Sequence, residues 1–203
     1  MAVEYRWGGV RTAGKRVVGG ARVCQGRPVN DSRCDLLRRQ FALTWSLFEY
    51  HLEQLDTEDF LWRPTPLCWT VHLRADGRWL PDWAETEPDP VPVPTIGWLS
   101  WHIDWWWSTT VELHLGRQPR DREDIAWPGD AEGAIGRLRE LREEWLGVLD
   151  GLDDAALDAA SPSPWAQGPD HTVAHTAAWV NAELMKNVAE IGQLRMLRAA
   201  SSA

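Results

Sequence analysis

Three side chains stand where they could do chemistry together. His102 falls on the apolar side of the segment WLSWHIDWWW (98–107), and Glu183 and Asn187 lie one helical turn apart on the last amphipathic segment. The face that Glu183 and Asn187 share is otherwise apolar, and a carboxylate there demands a partner because an isolated buried charge is costly. A divalent metal would provide one, and so would His102. One imidazole with one carboxylate makes an N/O donor set suited to Zn, Ni, Mn or Fe. The plainer alternative is a hydrogen-bonded core histidine. His171 and His175 also have i,i+4 spacing, but they occupy the first turns of their segment, where capping and surface polarity account for them. His51 borders an apolar stripe beside Phe48 and Leu52, at the edge of the core or facing the same pocket. Cys68 and His72 form a nucleophile pair only if the fold joins them. No phosphate-cradling glycine loop, dinucleotide fingerprint or nucleophile elbow is present.

The tryptophan cluster admits three readings. It is core packing, or an indole-lined pocket for an apolar or cationic ligand with Trp98, Trp106 and Trp179 among its walls, or a homodimer interface. Consecutive indoles cannot all face inward. Trp105 and Trp107 point away from Trp106, so the connection at 61–94 or a partner chain must cover at least one of them.

Four stripes of apolar residues at helical spacing must position these groups. The first runs from Asp35 to Leu55 through Leu37, Phe41, Trp45, Phe48 and Leu52. Acidic turn chemistry at Asp56–Asp59 should end it. The second starts on the cap Thr95, runs to Leu115 through Leu99, His102, Trp106, Thr109 and Leu113, and stops at Gly116. The third starts on Asp130 and presents Ile135, Leu138, Leu141, Trp145, Val148 and Leu152. The fourth spans 171–198, with Thr176, Val180, Glu183, Asn187, Ile191 and Leu194 on one side. Between the first two, CWTVHLR and RWLPDW flank Ala75-Asp76-Gly77, which predicts a small β-hairpin. PDPVPVP must be extended and should lie across the bundle as a strap. The expected architecture is all-α, a four-helix bundle with a long crossover between the first two helices. A short internal echo (TIGWLSWHIDWW against TVAHTAAWVNAE) reads as two helical pairs of similar design, with His102 opposite Trp179.

Composition narrows the function classes. The chain has 203 residues, enough for one domain with its own core. It has 30 acidic and 21 basic side chains, which disfavours nucleic acid as a partner. Residues 1–40 hold nine basic and three acidic groups, so the remainder is more acidic than the total of −9 implies. Residues 1–31 are expected to be a basic leader without order of its own, and 32–203 the folded domain. Fifteen of the 20 aromatic residues are Trp, and each buried indole N–H wants an acceptor. Three scattered cysteines form neither a disulfide framework nor a CxxC zinc motif. There is no membrane-spanning stretch and no secretory leader, so the expected location is the cytoplasm.

The segments LDTEDFLWRP (55–64), TIGWLSWHIDWWW (95–107) and TVAHTAAWVNAELMKNVAEIGQLRMLR (172–198), in that order, resemble the DinB-like (YfiT-like) superfamily of bacterial four-helix bundles. The resemblance covers about 33–200. It implies a divalent metal held by one His from the second helix and an H-x3-H pair on the fourth, sometimes with Glu in first place. It also implies thiol-dependent transferase, isomerase or hydrolase chemistry on a small-molecule or thiol substrate. Carried over, His102 matches the helix-two ligand and Glu183 the first of the pair, while Asn187 stands where the second His belongs. The expected function is thus a metal-dependent enzyme of the thiol-transferase or hydrolase type with a degenerate site. The alternative is a non-catalytic small-molecule-binding or dimerising bundle that has lost its metal chemistry.

Overall fold

Each amphipathic stripe becomes a helix, and each helix with a resolved cap begins on a side chain that satisfies a free N–H of its first turn. The computed structural model describes residues 32–165, 168 and 170–201; the expected leader at 1–31 lies outside them. Ser32 Oγ accepts from Asp35 N at 3.1 Å and opens α1 (Arg33–Leu52). The acidic turn after α1 does more than end it. Asp56 and Asp59 form a reciprocal capping box that starts a fifth, short helix, α2 (Thr57–Leu61).

Four short strands follow, β1 (Cys68–Trp69), β2 (Val71–Leu73), β3 (Trp79–Pro81) and β4 (Val93–Pro94). β2 and β3 pair antiparallel as the expected hairpin, whose turn uses Gly77 at φ +85°. The hairpin is shorter than the flanking motifs implied, because Cys68–Trp69 pairs instead with the Val93–Pro94 end of the strap, in parallel. That pairing ties both ends of the crossover together just before the next helix.

Thr95 caps α3 (Ile96–His114) through Trp98 N, and Gly116 leaves the helix at φ +68°. Asp130 caps α4 (Ala131–Asp150), and α5 (Val173–Ser201) completes the bundle. Helices α1 and α5 pack together, as do α3 and α4, and α3 crosses to α5. The core runs through Phe41, Phe48, Ile103, Trp107, Leu141 and Ile191, all buried. Helix α3 is buried on nearly every side, unlike a surface helix with one apolar stripe, because the crossover covers its outer face.

The consecutive indoles are all covered within the chain. Trp107 packs on Phe41 and Trp45 of α1, not under the crossover, while Trp105 meets Trp83 of the crossover and Trp165. Several indole N–H groups find acceptors, Trp101 on Ile125 O (2.7 Å) and Trp127 on Ser100 Oγ (3.0 Å).

Two half-buried histidines should make the fold acid-sensitive. His114 Nδ1 donates to Thr110 O at 2.8 Å, leaving Nε2 buried without a partner beside Trp145. His51 packs against Gly192 of α5, away from His102, and its Nδ1 is buried unpaired. Burial pulls both rings below their ordinary pKa of 6.5, with Arg195 adding to the effect at His51. The unfolded chain therefore takes up protons first. The stability these rings confer is complete above about pH 6.5 and is lost as pH falls below it. Melting temperature should drop between pH 7.5 and 5.5, and a His51→Asn/His114→Asn double variant should show a flatter slope.

Candidate functional site

Thr95 sets the start of α3, and a buried ion pair sets its rotation. Asp104, two residues beyond His102, meets Arg137 Nε of α4 at 2.9 Å, with Arg120 at 3.6 Å. Burial pushes the Asp104 carboxyl upward in pKa, and the two arginines oppose that push. With Asp104 turned to α4, His102 faces α5. Its ring stacks on Trp98 (centroids 5.0 Å, 12°), which stacks in turn on Trp69 (5.0 Å, 22°). Trp98 Nε1 donates to Asp82 O at 2.8 Å, while the Asp82 carboxylate accepts from Thr70 N and pairs with His72, both at 2.9 Å. The hairpin thus holds the stack that holds the histidine. Its own Cys68 and His72 are not joined: Cys68 Sγ accepts from Arg63 and His72 is held by Asp82.

His102 Nε2 lies 3.8 Å from Glu183 Oε1, an ion-pair approach longer than a hydrogen bond. The same carboxylate oxygen pairs with Lys186, one turn along α5. The facing His102 ring holds the Glu183 carboxyl below the usual range; burial opposes this and Lys186 reinforces it. Around the pair, Trp105 and Trp106 of α3, Trp165 and Trp179 line an open cavity of about 190 Å3. Trp179 meets Trp106 edge-on (5.2 Å, 74°), and Trp165 bridges Trp105 (5.5 Å) to Trp179 (6.0 Å).

Of the expected walls, Trp106 and Trp179 line this cavity, whereas Trp98 stands behind His102 because its N–H is drawn to Asp82. Trp105 and Trp165 were missed. Trp165 lies in a Ser/Pro-rich loop with no periodicity to orient it, and its isolation there as a lone indole was the only available signal. His171 and His175 serve the start of α5: His175 Nδ1 accepts from Thr172 N at 3.0 Å, and His171 Nε2 meets Thr176 Oγ1 at 3.2 Å.

Asn187 is 1% exposed and fully engaged. Its Oδ1 accepts from Trp106 Nε1 at 3.3 Å, and its Nδ2 donates to Glu190 Oε2 at 3.0 Å. A catalytic zinc site uses three strong protein ligands and an open position. Here there is one imidazole, one carboxylate already shared with Lys186, and an amide oxygen occupied by an indole. Among the described residues, no cluster of three His, Cys, Asp or Glu side chains could hold a metal. This donor set does not fit a resident divalent ion.

A helical bundle with a long first crossover and a His facing a carboxylate across two helices defines the class. The chain belongs to the DinB superfamily, whose family model matches residues 40–191, from within α1 to the middle of α5. No curated protein and no solved structure matches the chain. Among the described residues, no helix is long and apolar enough to cross a membrane.

Proposed function

We propose that this DinB-superfamily protein binds a compact small molecule in the indole cavity beside His102 and Glu183, without a resident metal. The observation that carries the reading is the convergence of four indoles, from two helices and a loop, on one histidine–carboxylate pair. Four indoles around a polar pair make a recess with apolar walls and one polar end, the usual anatomy of a ligand site. Its volume is below the roughly 300–1,000 Å3 of drug-sized sites, so the ligand is a single ring or a short branched group. Its polar head meets the His102–Glu183 pair and its body lies against the faces and edges of Trp106, Trp165 and Trp179. Thiol transfer or hydrolysis, the chemistry implied by the family resemblance, would need a third strong metal ligand, and Asn187 is committed elsewhere.

Ligand-observed NMR with a panel of single-ring and branched-chain fragments tests this. We expect hits at one equivalent that survive EDTA and weaken at least about tenfold in Trp179→Ala and His102→Ala. Binding abolished by EDTA, or no hit in the whole panel, would sink the reading. Elemental analysis of untagged protein should show well under one metal per chain, even after incubation with zinc, nickel, manganese or iron(II) and desalting.

A further inference from the structure

A second, larger recess lies away from the indole cavity. The C-terminal half of α5 forms one wall with Glu190, Leu194 and Leu197, and the two tied ends of the crossover form the other with Trp62, Val93 and Pro94. Its volume is about 540 Å3, well within the range of small-molecule sites. The α5 residues beyond Glu190 that line it all follow residue 191, where the family match ends.

The walls are mostly apolar, with Thr65, Gln193 and Ser201 as neutral polar members and a single ionisable group among the described lining residues, the half-buried Glu190. Its Oε2 accepts from the buried Asn187 amide, which holds the carboxylate in place. Among the described residues, no cation pairs with Glu190, and its one side-chain hydrogen bond is the one from Asn187. The neighbouring cations are turned elsewhere. Arg198 meets Asp59 at 2.5 Å and Glu58 at 3.2 Å, Arg195 meets Gln54 at 2.7 Å, and Arg63 Nε donates to Cys68 Sγ at 3.1 Å. Lys186 is bound to Glu183. Among the described carboxylates without an ion pair, Glu190 is the one set in this recess, beside the Trp62 indole.

A carboxylate in partly apolar surroundings favours a cation that needs little hydration, and an adjacent indole adds attraction for the same charge. A strongly hydrated metal ion would find only one carboxylate here, and an anion would be repelled. Leu194, Leu197, Val93 and Pro94 offer surface for hydrocarbon. We propose that this groove is a second ligand site, which takes an amphiphilic organic cation: an ammonium head against Glu190 and Trp62, with a hydrocarbon tail along Leu194, Leu197 and Val93.

Calorimetric titration of the full chain with octyltrimethylammonium, below its micellar concentration, tests the proposal. Octanoate, octanol and tetramethylammonium separate charge from tail. One equivalent of octyltrimethylammonium should bind, at least about tenfold tighter than any of the three. Glu190→Gln keeps an acceptor for Asn187, so the fold should survive, as a thermal melt will show, while affinity falls at least about tenfold. Leu197→Arg, which places a cation at a half-exposed position on the rim, should weaken binding likewise. Trp179→Ala, in the other cavity, should leave it unchanged. The proposal is overturned if octyltrimethylammonium fails to bind, if octanoate or octanol binds as well, or if both groove variants bind like the parent. Loss of binding in Trp179→Ala with none in Glu190→Gln would move the cation to the indole cavity and equally overturn it.

Discussion

Asn187→His should convert this protein into a stoichiometric zinc binder. The substitution adds a second imidazole one turn beyond Glu183, where the family resemblance would put a ligand, and so raises the strong donors from two to three. Zinc affinity should rise at least about a hundredfold over the parent, measured by competition with a chromogenic chelator. The gain comes at the expense of the apo fold. His is larger than Asn at a position 1% exposed, and it gives up the amide that serves Trp106 and Glu190. Overpacking of this kind typically costs about 1–3 kcal/mol. Zinc at a hundred times its dissociation constant would return about 2.7 kcal/mol through binding linkage. The melting temperature of the variant should therefore fall without zinc and recover with it. Asn187→Ala is the control: it should lose about 1–3 kcal/mol, for the indole N–H left without an acceptor, and gain nothing from zinc. If the parent binds zinc as tightly as Asn187→His does, the account of this site as metal-free is wrong.

Arg137→Ala should be among the most destabilising single substitutions at the surface of α4. It strips the nearest countercharge from Asp104, a carboxylate 7% exposed inside the α3–α4 contact. Breaking a buried pair by removing one partner costs roughly 3–5 kcal/mol. Arg120 stays within 3.6 Å and Arg137 is itself partly exposed, so about 2–4 kcal/mol is the better expectation. Asp104→Leu with Arg137→Met replaces both charges by apolar volume and should recover most of the loss, since such replacements are often neutral. Denaturant unfolding of the two singles and the double gives the coupling directly. The singles should also weaken fragment binding, because the pair sets the rotation of α3 that turns His102 to α5. Singles within about 0.5 kcal/mol of the parent would show that Asp104 is solvated, and that hairpin stacking alone orients His102.

Most of the helical frame is written locally. The spacing of Leu37, Phe41, Trp45 and Phe48, or of Leu138, Leu141, Trp145 and Val148, admits only one period, and Ser32, Thr95 and Asp130 each cap a first turn through their own side chains. Asp76-Gly77 likewise specifies its turn, because only glycine adopts that positive φ without strain. The capping box at Asp56 and Asp59 was equally local, but it starts a helix where the acidic run suggested only an end. Within the site, the facing of His102 and Glu183 was legible as two groups on the apolar sides of two helices that had to pack.

Other features depended on distant partners. No periodicity places Trp165 beside Trp105, since a Ser/Pro loop carries no facing preference. Trp98 lies behind His102 because a carbonyl sixteen residues earlier accepts its N–H. The family resemblance would put Asn187 at a ligand position, yet in space its two amide groups belong to Trp106 and Glu190. Glu190 is one acidic residue among 30 in the sequence, and only the fold sets it in a mostly apolar groove with no cation paired to it among the described residues. Helix period, caps and turns depend on neighbours within a few residues, so the sequence by itself determined the helices of the bundle, and its motifs carried the family resemblance. Hydrogen-bond partners and cavities depend on groups brought together from far along the chain, so only the tertiary structure decided which polar atoms are already satisfied and which remain available to a ligand.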